Sequence, residues 1–256
     1  MKNIYLIFCL LTIPAVCFAD DDTDKKDPQL IADVWIMTPK AGHEADFYAA
    51  LKEHVKFRTE KNDPRTWQVS NPVTGDNTNT YLIRACCFEW STQDSYTEWA
   101  ESSGVQKHWG ETASQHVDSY NHDFIVIDTK NSHWIEGTIV NYVGVRRIKV
   151  KNGSHTQMNN SIKSLSKFGI DNKWPHSWSW TYPVSGSSDV NFIIPFENYA
   201  AMAPLEESFY QYVLRVHESK DEAMKLFDEY SDSIESSTYT IYKKNTELTM
   251  THKEEK

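Results

Sequence analysis

The chain has 256 residues, room for one large domain or two small ones. Its formal net charge is −10 and its basic residues form only short clusters such as Arg146-Arg147, which excludes a nucleic-acid partner and a strong pull toward anionic membranes. Nine Trp and thirteen Tyr supply material for a substantial core.

The N-terminus reads as a processing signal. Lys2 precedes an apolar run from Ile4 to Val16, and Ala19 closes it before a run of Asp. This predicts a secretory signal over residues 1–19, cleaved after Ala19, and an exported protein, periplasmic or secreted, with no membrane span. Lipid anchoring through Cys17 is the other reading of that stretch. Residues 20–28 form a charged, flexible leader. After cleavage Cys86 and Cys87 remain. Neighbours on a strand point to opposite faces, so no structural disulfide is expected, and both read as small apolar strand residues.

Leu30 to Met37 reads as the first strand, and Pro39 to Gly42 turns the chain. A helix follows with Phe47, Leu51 and Val55 on one face, ended by Asn62-Asp63-Pro64. Thr66 to Ser70 and Thr80 to Glu89 are strands joined by a turn on Pro72, Gly75 and Asn77. Ser91 or Thr92 caps a helix carrying Tyr96 and Trp99, which breaks near Gly104. A further helix from Val105 carries Trp109, Ala113 and His116, and Phe124 to Asp128 is a fourth strand.

The order then starts again. Tyr142 to Val150 is a strand, and a helix carries Met158, Ile162, Leu165 and Phe168. His176 to Tyr182 and Asn191 to Phe196 form a hairpin. Helical sequence runs from Leu205 to Ile234, and Thr238 to Tyr242 is the last strand. The restart shows in identities. Trp67, Pro72, Val73 and Gly75 match Trp178, Pro183, Val184 and Gly186 at a constant offset of 111 residues.

The expected fold is therefore α+β: two tandem ferredoxin-like (βαββαβ) repeats over residues 29–133 and 134–245, with a disordered polar tail over 246–256. A four-stranded sheet covered by helices on one face leaves the other bare. Two such sheets packed against each other as an internal dimeric α/β barrel cover both, a pseudo-dimer within one monomeric chain.

Residues 30–129 also carry a resemblance. The first strand runs into Lys40-Ala41-Gly42-His43-Glu44 and a helix. The third strand ends in Phe88-Glu89-Trp90-Ser91. Ser95-Tyr96-Thr97-Glu98-Trp99-Ala100-Glu101-Ser102 and Val105-Gln106-Lys107-His108-Trp109 follow. These segments are similar to those of the antibiotic-biosynthesis-monooxygenase group of the dimeric α/β-barrel superfamily, with the second unit a degenerate copy. The resemblance implies a small apolar or aromatic ligand held in the first unit between sheet and helices. The role is either that of a cofactor-independent monooxygenase-like enzyme or that of a non-catalytic ligand- or partner-binding module. The group's haem-degrading branch pairs a helix Trp with a His ten residues on and an Asn on the first strand. Here Trp99 is followed by His108 at nine, and Asp33, Val34 and Trp35 stand on the first strand without an Asn. No cofactor is expected.

His108 is the candidate catalytic base, since an imidazole titrates near about 6.5; its other reading is a half-exposed helix histidine. Trp35, Trp99 and Trp109 are candidate ligand-stacking residues, each equally readable as core. Arg84 sits in an otherwise apolar strand. It is either an anion-binding residue or the partner of Asp33 on a neighbouring strand. No HxxxH or CxxC spacing points to a metal, and no GxSxG or phosphate-loop motif is present.

Overall fold

The β-branched and aromatic run from Leu30 forms strand β1 (Leu30–Pro39) in the computed structural model, which describes residues 28–251 apart from Ser187. The secretory signal expected over 1–19 lies outside the described residues. The first half continues with α1 (Glu44–Glu60), β2 (Trp67–Pro72), β3 (Tyr81–Glu89), α2 (Gln93–Ser102), α3 (Val105–Thr112) and β4 (Val117–His133). The second half has β5 (Tyr142–Val150), α4 (His155–Asp171), β6 (Trp178–Pro183), β7 (Val190–Phe196), α5 (Phe209–Val216), α6 (Lys220–Asp232) and β8 (Ile234–Lys244).

Every pairing is antiparallel, and the strand order β1-β3-β2-β8-β5-β7-β6-β4 closes on itself. The fold is thus α+β, a closed eight-stranded barrel, as in a dimeric α/β barrel. The two four-stranded sheets do more than face each other. They join at both edges, through β2–β8 and β4–β6.

Period-two alternation divides every strand between two environments. On β1, Val34 and Ile36 face the barrel interior, while Asp33, Trp35 and Met37 face the helices. The helices cover two separate cores. One packs Phe47, Leu51 and Val55 of α1 on Trp67, Val69, Ile83 and Ala85. The other packs Met158 and Ile162 of α4 on Ile148, Trp178 and Trp180. Trp178 and Trp180 are therefore core residues. The two halves also share their special backbone positions. Gly42, Asn62 and Gly75 have positive φ, and so do Gly153, Lys173 and Gly186, each 111 residues on.

Several expectations need correction. Residues 246–251 are an ordered strap rather than a disordered tail. Leu248 is fully buried and Met250 nearly so, and both join the core under α1. The backbone N–H groups of Asn245 and Met250 donate to the carbonyls of Val69 and Trp67, which ties the turns of the strap to β2. Two apolar residues spaced by two in a polar stretch were sufficient for that. Strand β4 is far longer than Phe124 to Asp128, because its first part pairs with β1 and its last with β6, so polar flanks such as Ser119 and Asn121 carry ladder bonds. The helical region splits where Ser219 caps α6, its hydroxyl accepting from the Glu222 amide. Cys86 and Cys87 are joined in a vicinal disulfide, against expectation. Ala32 pairs with Cys86 and Ile31 with Phe88, so Cys87 is the extra residue of a bulge and strict alternation fails there.

Candidate functional site

A cavity of about 390 Å³ opens between the outer face of β1 and β4 and the helices α1, α2 and α3. It is the size of a small-molecule site. Trp35, Tyr120, His122 and Phe124 come from the strands, His54 and Arg58 from α1, and Trp109 from α3.

The strand register builds its polar corner. His122 lies directly opposite Trp35, and Asp33 is the diagonal neighbour two residues away. The imidazole stacks on Trp35 with ring centroids 3.9 Å apart and an interplanar angle of 11°. Its Nε2 lies 2.9 Å from Oδ1 of Asp33. A neutral His122 holding its proton on Nε2 donates to the carboxylate and keeps a lone pair on Nδ1. Asp33 is buried, and burial pushes its carboxyl up against the opposing pull of His122 and Arg65. The second carboxylate oxygen faces Arg65 Nη1 at 3.4 Å. Arg65 is itself clamped between the rings of Phe88 and Tyr96, at 3.5 and 3.6 Å from their centroids.

On the opposite wall, residues four apart on α1 share a face. Arg58 Nε donates to His54 Nε2 at 2.9 Å. The His54 proton therefore sits on Nδ1, which meets Nδ1 of His108 at 3.1 Å. His54 is pushed down to about 3, first by burial and then by the positive charge of Arg58 and by His108. An unfolded histidine titrates near about 6.5, so between these values the unfolded chain binds the extra proton. Stability should therefore fall as pH is lowered through that window, by about 2 kcal/mol at about pH 5 from this residue alone. Urea unfolding across about pH 4 to 7 should show a shallower slope in His54→Gln. An unchanged slope would put the titrating group elsewhere.

The candidates read from the sequence separate in space. Trp35 and Trp109 line the cavity. His108 does not. It lies behind His54, stacked on Phe57 at 4.1 Å with its side chain 17% exposed, and reaches the cavity through His54 alone. Trp99 packs on Tyr96 at the edge of the core. Arg84 pairs with Val34, one residue from Asp33, so the two lie on opposite faces and cannot meet; Arg84 points into the barrel. The sequence reading missed Asp33 as a site residue, and it missed His54, Arg58 and His122. His54 had a signal, since it is four residues before an arginine on the buried stripe of α1. His122 had none, because its partners come from a strand about ninety residues away.

A second cluster brings His43, Asp46 and His116 together on the surface, with one ligand atom from each within 4.8 Å of the others. No spacing in the sequence announces it. As for haem, the branch whose Trp, His and Asn were compared above is not matched. Trp99 and His108 are off the cavity wall, and the first-strand Asp33 is engaged by Arg65 and His122.

No protein-family model and no curated relative matches the sequence. Solved structures do match in fold. A candidate monooxygenase of Lactobacillus acidophilus NCFM superposes with a TM-score of 0.53 at 10% identity, over 87% of this chain and 96% of that one. An anthrone oxidase-like protein gives 0.51 at 9%, over 86% and 92%. A chlorite dismutase variant of Candidatus Nitrospira defluvii gives 0.54 at 6%, over 87% and 94%. At these identities the likeness is one of fold, and it fits a dimeric α/β barrel.

Proposed function

We propose that this chain is an exported protein that binds a small planar aromatic molecule in the cavity of its first half, and that its two halves, 29–133 and 134–245, descend from a tandem duplication. The paired special backbone positions and the constant offset of 111 support the duplication. The binding reading rests on one arrangement: Trp35, Trp109 and Tyr120 wall a cavity into which a carboxylate-held imidazole, His122, is set, with His54 and Arg58 on the facing helix. Flat rings stack on such walls, and Nδ1 of His122 accepts from an acidic O–H or C–H of the ligand.

Enzymatic turnover of the kind suggested by the names of the monooxygenase-like structures is the second reading, favoured by the same Asp33–His122 pair. There His122 takes the proton and Asp33 orients and stabilises the resulting imidazolium. The non-catalytic module uses the same walls without proton transfer. Anthrone separates the two. Titration without oxygen should quench tryptophan fluorescence in the wild type and weaken about tenfold or more in Trp35→Ala. With oxygen, an enzyme converts anthrone and consumes dioxygen, and His122→Ala stops conversion while weakening binding by no more than about tenfold, the loss of one hydrogen bond. Binding without conversion selects the module. Absence of binding by anthrone and by 1-naphthol alike sinks the aromatic-ligand reading.

A further inference from the structure

The barrel interior is hollow. An eight-stranded barrel is at the size where side chains either fill the lumen or leave room for one small ligand. Here a cavity of about 670 Å³ remains, larger than the outer one and on the opposite face of the same strands. Its walls mix aliphatic residues, Val34, Ile36 and Leu82 from one half and Val143, Val145 and Ile193 from the other, with uncharged polar ones such as Gln68, Asn121 and Thr181. Trp134 lines it and is 49% exposed, which places that residue at a mouth.

Three charged side chains line this lumen: Arg84, Arg147 and Asp123. Asp123 is occupied, its Oδ1 accepting from the backbone N–H and the hydroxyl of Ser185 at 3.0 and 2.9 Å. Arg147 donates one N–H to the Tyr242 hydroxyl at 2.7 Å. Arg84 is different. Among the described residues it makes neither an ion pair nor a side-chain hydrogen bond. Burial pulls its guanidinium down to about 10, and no neighbouring charge opposes that. A guanidinium with five donors and no partner among the described residues, lining a chamber with a largely aliphatic wall, leaves those donors for a ligand's acceptors. The strand register fixes it there, since Arg84 lies between Val34 and Gln68, both also facing the lumen.

We propose that the barrel lumen is a second binding site, for a monoanion with an apolar body such as a medium-chain carboxylate, whose carboxylate pairs with Arg84 while its chain lies among the aliphatic residues of both halves. The charge balance selects a monoanion: two arginines against one aspartate leave one positive charge. A carboxylate matches the guanidinium fork with two parallel hydrogen bonds. This site shares no lining residue with the outer cavity, so it stands whether or not that cavity binds aromatics.

Isothermal titration with decanoate, decanol and acetate tests it on the full chain. Decanoate should bind one-to-one. Decanol should bind about tenfold or more weakly, for want of the charged pair, and acetate not measurably, for want of the chain. Arg84→Met should lose about tenfold or more in decanoate affinity and Arg84→Lys less, while Trp35→Ala in the outer cavity leaves decanoate binding unchanged. Because Arg84→Met removes a half-buried charge with no ion pair among the described residues, it should fold and melt no lower than wild type, which keeps its loss of binding interpretable. Equal affinity for decanol and decanoate, or full decanoate affinity in Arg84→Met, overturns the proposal, as does decanoate binding abolished by Trp35→Ala.

Discussion

Asp63→Ala is expected to lower the folding stability by about 3–5 kcal/mol, as much as truncating a large buried core side chain. Asp63 is 2% exposed and is the acceptor on which four donors converge. Arg58 Nη1 lies at 2.5 Å, the Arg65 backbone N–H at 2.8 Å, Trp67 Nε1 at 3.1 Å and the Tyr96 hydroxyl at 3.4 Å. Removing the carboxylate leaves the mostly buried Arg58 guanidinium without its counterion and the buried Trp67 N–H with only the Tyr96 hydroxyl. Breaking a buried pair from one side is the costly case, because the abandoned charge keeps its full desolvation cost. Asp63→Asn retains an acceptor and should lose less, about 1–3 kcal/mol. For a chain of this length the alanine variant should melt roughly 10 °C lower. Calorimetry and urea midpoints measure both. Equal losses for Ala and Asn would mean that hydrogen bonding without charge explains the site. The effect should also reach the cavity, since Arg58 lines it and holds His54 in its neutral tautomer.

Why Asp63 escaped notice shows where the sequence stops being informative. Asn62-Asp63-Pro64 reads as a helix stop, and it is one: α1 ends at Glu60 and Asn62 takes a positive φ. Local rules account for that backbone. They are silent on a side chain whose partners lie four, five and thirty-three residues away. The same boundary separates the rest. Periodicity located α1 and its stripe of Phe47, Leu51 and Val55, and the paired Trp-x-x-x-x-Pro hairpins located β2 and β6, because those signals lie within one element. The pairing of two sheets followed from the bare sheet face, a simple area argument, but their joining at both edges through β2–β8 and β4–β6 did not. The pocket's position between sheet and helices was likewise implied by the family resemblance. Its chemistry was not. His108 and His54 differ in sequence only by context, yet one lines the cavity and the other stands behind it. Arg84 and Asp33 looked like a pair because each needed a partner. A register that places Asp33 opposite Ala85 and Arg84 opposite Val34 puts them on opposite faces of the sheet. Register is a long-range quantity, and a shift of one residue exchanges every partner.

The C-terminal strap supplies the second large effect. Leu248→Ala is expected to lose about 2–5 kcal/mol, the range for a fully buried leucine that leaves a cavity behind. Leu248 has no exposed surface and packs in the same core as Phe47 and Leu51. Glu247, beside it, bonds both Lys52 and Tyr48, but it is 64% exposed. An exposed pair of that kind contributes about 0–1 kcal/mol, so Glu247→Ala should be nearly silent. The contrast decides what holds the strap down: burial of Leu248 and Met250, with the polar contacts only setting its register. Urea unfolding of the two variants reads the difference directly, and a Glu247→Ala loss equal to that of Leu248→Ala would reverse the assignment. One consequence reaches the architecture. The strap follows β8, the last strand of the second half, yet it completes the core of the first. A fragment of residues 29–133 lacks Leu248 and Met250 and the β8 edge that pairs with β2, so it should not fold alone, although its own elements run in the full order of one unit. Joining the two halves in one chain thus fixes more than the order of the strands. It gives the half that carries the outer cavity a wall of core that only the end of the chain can provide.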